Sequence, residues 1–152
     1  MKTYVITLPR MFPAKHPKKG RRTQFYLKFI DGQCKYDSPH WKKVHTIRAN
    51  YELWRKRFEK INRGEACLSV REWTGKPYWS PQREIARLTR EDGIGLQHCW
   101  MYNNSIFIDG HPIEKDTVAW RDGLSLEDWE AWFKDYDKSK ALAVIQFTKF
   151  RY

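Results

Sequence analysis

The 152-residue sequence predicts an α+β domain: a small mixed β-barrel of about six strands with short helices flanking it. Three observations carry that reading. Six or seven short segments have strand character and are punctuated by Gly, Pro, Asn and Asp. Three or four short segments have helical period, but they do not alternate with the strands as βαβ units would. The chain has no internal repeat, heptad or low-complexity tract. Its length suits a single domain over 1–152 that buries a core without staples.

The first strand is expected at residues 3–8, with Val5, Ile6 and Leu8 apolar. Residues 9–23 follow with three prolines and seven basic residues, His16 included, which predicts a solvated, mobile loop. Residues 24–30 suit a short helix, and 31–40 turns. In KVHTIR, 43–48, extended backbone sets Val44, Thr46 and Arg48 on one face and Lys43, His45 and Ile47 on the other. Asn50 is a helix N-cap, followed by Tyr51, Trp54, Phe58 and Ile61 on one helical face and by Gly64 as the stop.

The next strand is ACLSVREW, 66–73. After a turn-rich loop, REIARLT, 83–89, alternates as another. LQHCWMY and SIFI flank Asn103-Asn104, a pair that tolerates the left-handed backbone a tight hairpin needs. Asp109-Gly110 marks a turn. Residues 114–123 form a short helix closed by Gly123, and Ser125 caps a last helix that buries Trp129, Trp132 and Phe133. Residues 141–150 make the closing strand.

The net charge of +11 is unevenly spread. Residues 1–63 hold 17 Lys/Arg against 4 Asp/Glu, a net of +13, whereas 64–152 hold 12 against 14, a net of −2. Basic groups gain free energy by releasing counterions from phosphates, so the first half points to a polyanionic partner, RNA or a nucleotide. Lys15, Lys18, Lys19, Arg21 and Arg22 on the loop, Lys42 and Arg48 on the strand, and Arg55 and Lys56 on the helix are the candidate phosphate contacts. Trp41 or Trp79 are candidates to stack on bases.

No apolar run approaches a membrane span, and the first residues lack the apolar core of a signal peptide. Three well-separated cysteines, Cys34, Cys67 and Cys99, match neither a disulfide framework nor zinc spacing and predict buried reduced thiols in a cytoplasmic protein. Five histidines show no ligand spacing, and no phosphate-binding or nucleophile-elbow motif is present, so neither metal nor cofactor is expected.

What remains is Lys43-x-x-Thr46-x-Arg48. Arg suits bidentate recognition of phosphate or carboxylate. A desolvated Lys becomes a base, and a Thr hydroxyl a nucleophile or donor. In a regular strand Lys43 faces away from the other two, so the three meet only where the strand start curves. The plain alternative is a basic edge strand that uses Lys against aggregation.

KKVHTIR at 42–48, RDGLSLEDWEAWF at 121–133 and VIQFTKF at 144–150 together resemble the ASCH domain family of the PUA-like superfamily. The resemblance covers most of the chain as ordered elements, on few diagnostic residues. It implies a PUA-like barrel with a cleft that binds RNA or nucleotides. It also implies, for one bacterial branch, hydrolysis of N4-acetylcytidine by a Lys, a Thr three residues on and a distant carboxylate. Those roles fall on Lys43, Thr46 and Asp122. The branch carries Glu where Asp122 stands, and the family usually places Gly before the lysine pair, where this chain has His40-Trp41. Residues 9–23 and 74–82 are additions. Three readings follow: an RNA- or nucleotide-binding module, a small amidohydrolase, and an interaction module without chemistry.

Overall fold

A computed structural model describes residues 1–34 and 41–152. The first strand, β1 (Lys2–Thr7), leads through the proline-rich loop to helix α1 (Phe25–Gln33). Strand β2 (His45–Arg48) and helix α2 (Tyr51–Asn62) follow, then strands β3 (Ala66–Trp73) and β4 (Gln82–Leu88). Strands β5 (Gly95–Tyr102), β6 (Ser105–Ile108) and β7 (His111–Ile113) form a meander. Helices α3 (Lys115–Arg121) and α4 (Leu126–Phe133) precede the last strand, β8 (Leu142–Gln146).

The α+β class holds. The described strands pair into two sheets, β1-β3-β4 and β2-β8-β5-β6-β7, without closing into a ring. In the smaller sheet β1 runs parallel to β3, and β4 antiparallel to it past an irregularity at Val70/Arg71. The larger sheet is antiparallel throughout. β8 lies between β2 and β5 and is buried at all five positions, which suits the apolar run LAVI; the buried Gln146 that ends it donates to Gln97 at 3.0 Å. One core cluster joins both sheets and the helices, with Trp54, Phe58 and Ile61 of α2 inside it.

Helix α2 forms as its pattern requires. Asn50 adopts φ 65° and accepts from the Leu53 N–H, and Gly64 closes the end at φ 78°. Asn103 and Asn104 are both left-handed in the β5–β6 hairpin, and Asp109-Gly110 repeat that geometry between β6 and β7.

Several expectations need correction. Helix α1 runs on to Gln33, past the turns expected from residue 31, while residues 35–40, including His40, lie outside the described residues. Gly32 sits inside that helix because a Cβ there would meet the Lys43 carbonyl oxygen at 2.6 Å: it permits a close approach and marks no turn. β7 brings the strands among the described residues to eight; three residues with a central proline gave too weak a signal. The closing strand stops at Gln146.

The loop at 9–23 is folded rather than free. Phe12, His16 and Thr23 are buried, and Met11 bridges Arg22. Phe12 and His16 pack on Trp132 at centroid distances of 5.8 and 6.0 Å, and the His16 ring hydrogen-bonds the Asp128 carbonyl through Nε2 at 3.0 Å. Cys67 and Cys99 are buried free thiols, whereas Cys34 is exposed at the end of α1. Among the described residues no helix is long and apolar enough to cross a membrane.

Candidate functional site

Lys43 precedes β2 and is not part of its ladder. Its N–H donates to the Lys28 carbonyl at 2.9 Å, the Val44 N–H to the Arg121 carbonyl at 2.9 Å, and Lys43 forms an isolated bridge with Asp122. This segment is therefore threaded between α1 and the end of α3. Leaving the ladder frees Lys43 from strand alternation, and its side chain reaches the cleft that Thr46 and Arg48 also line. Asp122 lines the same cleft. The four polar residues singled out in the sequence thus come together, with Phe25, Leu124 and Trp132 among the apolar walls.

Asp122 occupies the C-cap of α3, and Gly123 follows at φ 81°. The Gly123 N–H donates to the Trp120 carbonyl at 3.1 Å, and that of Leu124 to Ala119 at 2.9 Å. Asp-Gly is thus an ordinary helix ending that also aims a carboxylate. A Cβ at Gly123 would stand 3.2 Å from the Lys43 Cβ.

The Lys43 ammonium donates to Asp122 Oδ1 at 2.6 Å and to the Asp122 carbonyl at 2.8 Å, and it lies 4.2 Å from the Phe25 ring centroid. Lys43 and Asp122 are each 2% exposed. Burial drives the Lys43 pKa below its usual value, against the pull of Asp122. Burial alone would raise the Asp122 carboxyl, but Lys43 and His45 beside it bring it below the usual carboxylate range.

His45 extends the network. Its Nε2 lies 2.5 Å from the Tyr152 hydroxyl, and its Nδ1 is 3.7 Å from Asp122 Oδ1, too long for a hydrogen bond and without another partner. Burial holds this imidazole below its ordinary pKa, and burial raises that of the Tyr152 phenol. Arg48 donates through Nη2 to the Thr7 carbonyl at 2.8 Å, and its buried Nε has no acceptor. Lys28 lies beside this network, donating to the carbonyls of Thr23 and Gly123 at 3.0 and 2.8 Å; burial, reinforced by Lys43, lowers its pKa to about 8. The enclosed space is about 20 Å³, room for about one water.

The sequence reading missed His45, Tyr152, Lys28 and Phe25. His45 lay in plain view within HTIR, but strand alternation placed it with Lys43 on the far face. Tyr152 had no local signal, since only the fold of the last residues brings it to β2.

The candidate phosphate contacts divide. Lys15, Lys19, Arg21, Arg22 and Lys56 are exposed, and Lys42 is half-buried. Lys18 pairs with Asp128 at 2.7 Å. Arg55 is held by Glu52 at 2.9 Å and by Glu59, so its charge is offset within its own helix. Trp41 stacks on Trp120 at 4.7 Å and donates to the Trp120 carbonyl at 3.0 Å, whereas Trp79 is 83% exposed. Among the described residues no group of three or more His, Cys, Asp or Glu is placed to hold a metal.

Compared with protein-family models, with curated proteins and with solved structures, the chain gives no match to any of them.

Proposed function

We propose that this chain is an ASCH-like domain of PUA-like type that binds RNA through its basic half and hydrolyses an N4-acylated cytidine in the Lys43 cleft. In this reading the two sheets correspond to the PUA-like barrel. The observation that carries it is the convergence of Lys43, Thr46 and Asp122 on one buried cleft, from positions up to 79 residues apart. These are the three positions that the resemblance singles out.

The chemistry is coherent at the level of side chains. Burial lowers the Lys43 pKa, so the ammonium paired with Asp122 at rest can shed a proton to give the amine that takes one from the water the cleft can hold beside the Thr46 hydroxyl. The water oxygen forms a bond to the acetyl carbonyl carbon. Arg48, whose Nε lacks an acceptor, meets the developing oxyanion. Collapse breaks the bond between that carbon and N4 of cytosine, and the Lys43 ammonium returns the proton to the leaving nitrogen. Cytidine and acetic acid result. Asp122 holds the Lys43 nitrogen in place throughout. At about 20 Å³ the cleft takes the acyl group only after the Trp132 ring in its wall shifts.

A second reading, an RNA-binding module without turnover, is favoured by one observation: two Lys43 donors are already occupied by Asp122. Deacetylation of N4-acetylcytidine, free and within a short RNA, separates the two. Turnover is expected, and Thr46→Val should reduce it roughly 10²–10⁴-fold with the circular dichroism unchanged. Binding of the acetylated RNA with no acetate released from either substrate would reject the hydrolase in favour of the module.

A further inference from the structure

A second cleft, of about 250 Å³, opens on the other side of α4. Phe133 lines both clefts, so this helix is the partition between them. Lys115 at the start of α3, Lys134 at the end of α4 and Lys138 beyond it converge here from three segments. The Asn103-Asn104 turn forms the opposite lip. The one carboxylate in the lining, Glu130, lies 3.7 Å from Lys115. Lys134 and Lys138 are exposed and make no ion pair among the described residues.

An independent observation points to a missing acceptor. Trp129 forms part of the wall and is 2% exposed, yet its buried indole N–H has no hydrogen-bond partner. Buried donors in folded proteins are almost always satisfied, and an orphan calls for a water or ligand oxygen. Beside the lysines the cleft runs into an apolar groove. Tyr102 and Lys138 line both, and Trp100 and Phe107 line the groove. Tyr102 is 69% exposed and Trp100 41%. Lysines supply point charges for a phosphate, and exposed aromatic faces supply a stacking surface for a base.

We propose that this cleft is a nucleotide-phosphate site, in which Lys134, Lys138 and the Trp129 indole N–H meet the phosphate and Tyr102 takes the base. It is separate from the Lys43 cleft, and loss of turnover there leaves it untouched. The phosphate comes from a free nucleotide or from an RNA chain. The test is an NMR titration of ¹⁵N-labelled protein, following the Trp129 indole N–H as assigned with Trp129→Phe. Cytidine monophosphate should move that resonance saturably, and cytidine at the same concentrations should not. Lys134→Gln with Lys138→Gln should weaken the response at least tenfold, while Thr46→Val leaves it unchanged. A short single-stranded RNA that binds more tightly than the monophosphate assigns the site to a chain phosphate; the reverse order assigns it to a free nucleotide. No movement with either phosphate-bearing probe, cytidine binding as tightly as its monophosphate, or an unaltered response in the lysine variant overturns the proposal.

Discussion

Lys43 and Asp122 form an ion pair that water hardly reaches, and such pairs have a characteristic asymmetry. Removing one partner strands a buried charge, at a cost of about 3–5 kcal/mol, whereas replacing both with apolar groups of similar volume is often neutral. Lys43→Met is therefore expected to lower the urea midpoint sharply, and Lys43→Met with Asp122→Leu to recover most of the loss. Equal losses in the single and double variants would show that the charges are not coupled. The pH dependence has a definite sign. Asp122 titrates below its ordinary value when folded, so the stability it contributes is present above the unfolded pKa and is lost as pH falls through the folded one. His45 is held below its ordinary pKa by burial, so acidification below about 6.5 must charge a buried imidazole and costs stability. Lys43, also lowered, adds a rise in stability with pH between its folded value and the usual lysine range. The urea midpoint should thus climb as pH rises towards about 6.5, the ordinary histidine value, and His45→Gln should flatten that rise. An unchanged slope in the variant would mean that His45 is not the titrating group. Of these residues, the sequence showed the Lys-Thr-Arg spacing and the Asp-Gly pair. It did not show His45 as a neighbour of Asp122, because the two meet only through the packing of β2 against the end of α3, 77 positions along the chain.

Elements were legible where local chemistry and global packing agree. The Asn50 cap, the apolar stripe of α2 and the asparagine hairpin all appear as their residues dictate. Legibility failed where long-range contact decides. Gly32 reads as a breaker, yet α1 passes through it because the segment carrying Lys43 crosses there. That crossing fixes the sign of a substitution. At an exposed helical site Gly→Ala stabilises by roughly 1 kcal/mol. At Gly32 the added methyl would meet the backbone oxygen of Lys43 at 2.6 Å, and backbone cannot rotate away as a side chain can. Gly32→Ala should therefore destabilise, by about 1–3 kcal/mol as overpacking does. It should also weaken the bond from the Lys43 N–H to the Lys28 carbonyl, which positions the lysine. Thermal unfolding reads the first effect, and amide exchange at Lys43 the second. A variant more stable than the parent would show that the two backbones are not held so closely. The loop at 9–23 failed in the opposite direction. Its charges and prolines suggest solvation, but Phe12 and His16 supply the apolar surface that ties it to Trp132.

At the scale of the whole molecule, the charge asymmetry of the sequence becomes a question of which cations are free to meet a polyanion. A net of +13 over residues 1–63 overstates the supply, because Lys18 is paired with Asp128 and Lys43 with Asp122, two carboxylates of the second half that this net leaves out. Lys15, Lys19, Arg21 and Arg22 stand exposed on a loop that its buried residues fix in place. A fixed array loses less conformational entropy on binding than a free arm, so these four should account for much of any affinity for RNA. Each phosphate neutralised on a single strand contributes about −0.7 to the slope of log affinity against log salt. Replacing all four with Gln or Ser should flatten the slope for single-stranded RNA by about 3. Arg55→Gln, which removes a charge already offset by its neighbours, should barely change it. Binding isotherms at several salt concentrations measure both. An equal flattening from the helix variant would mean that the ion pairs of α2 open on binding and that the helix, rather than the loop, faces the strand. A slope near zero in the parent would remove RNA as the partner, and the asymmetry would then describe only the surface charge of the first half of the chain.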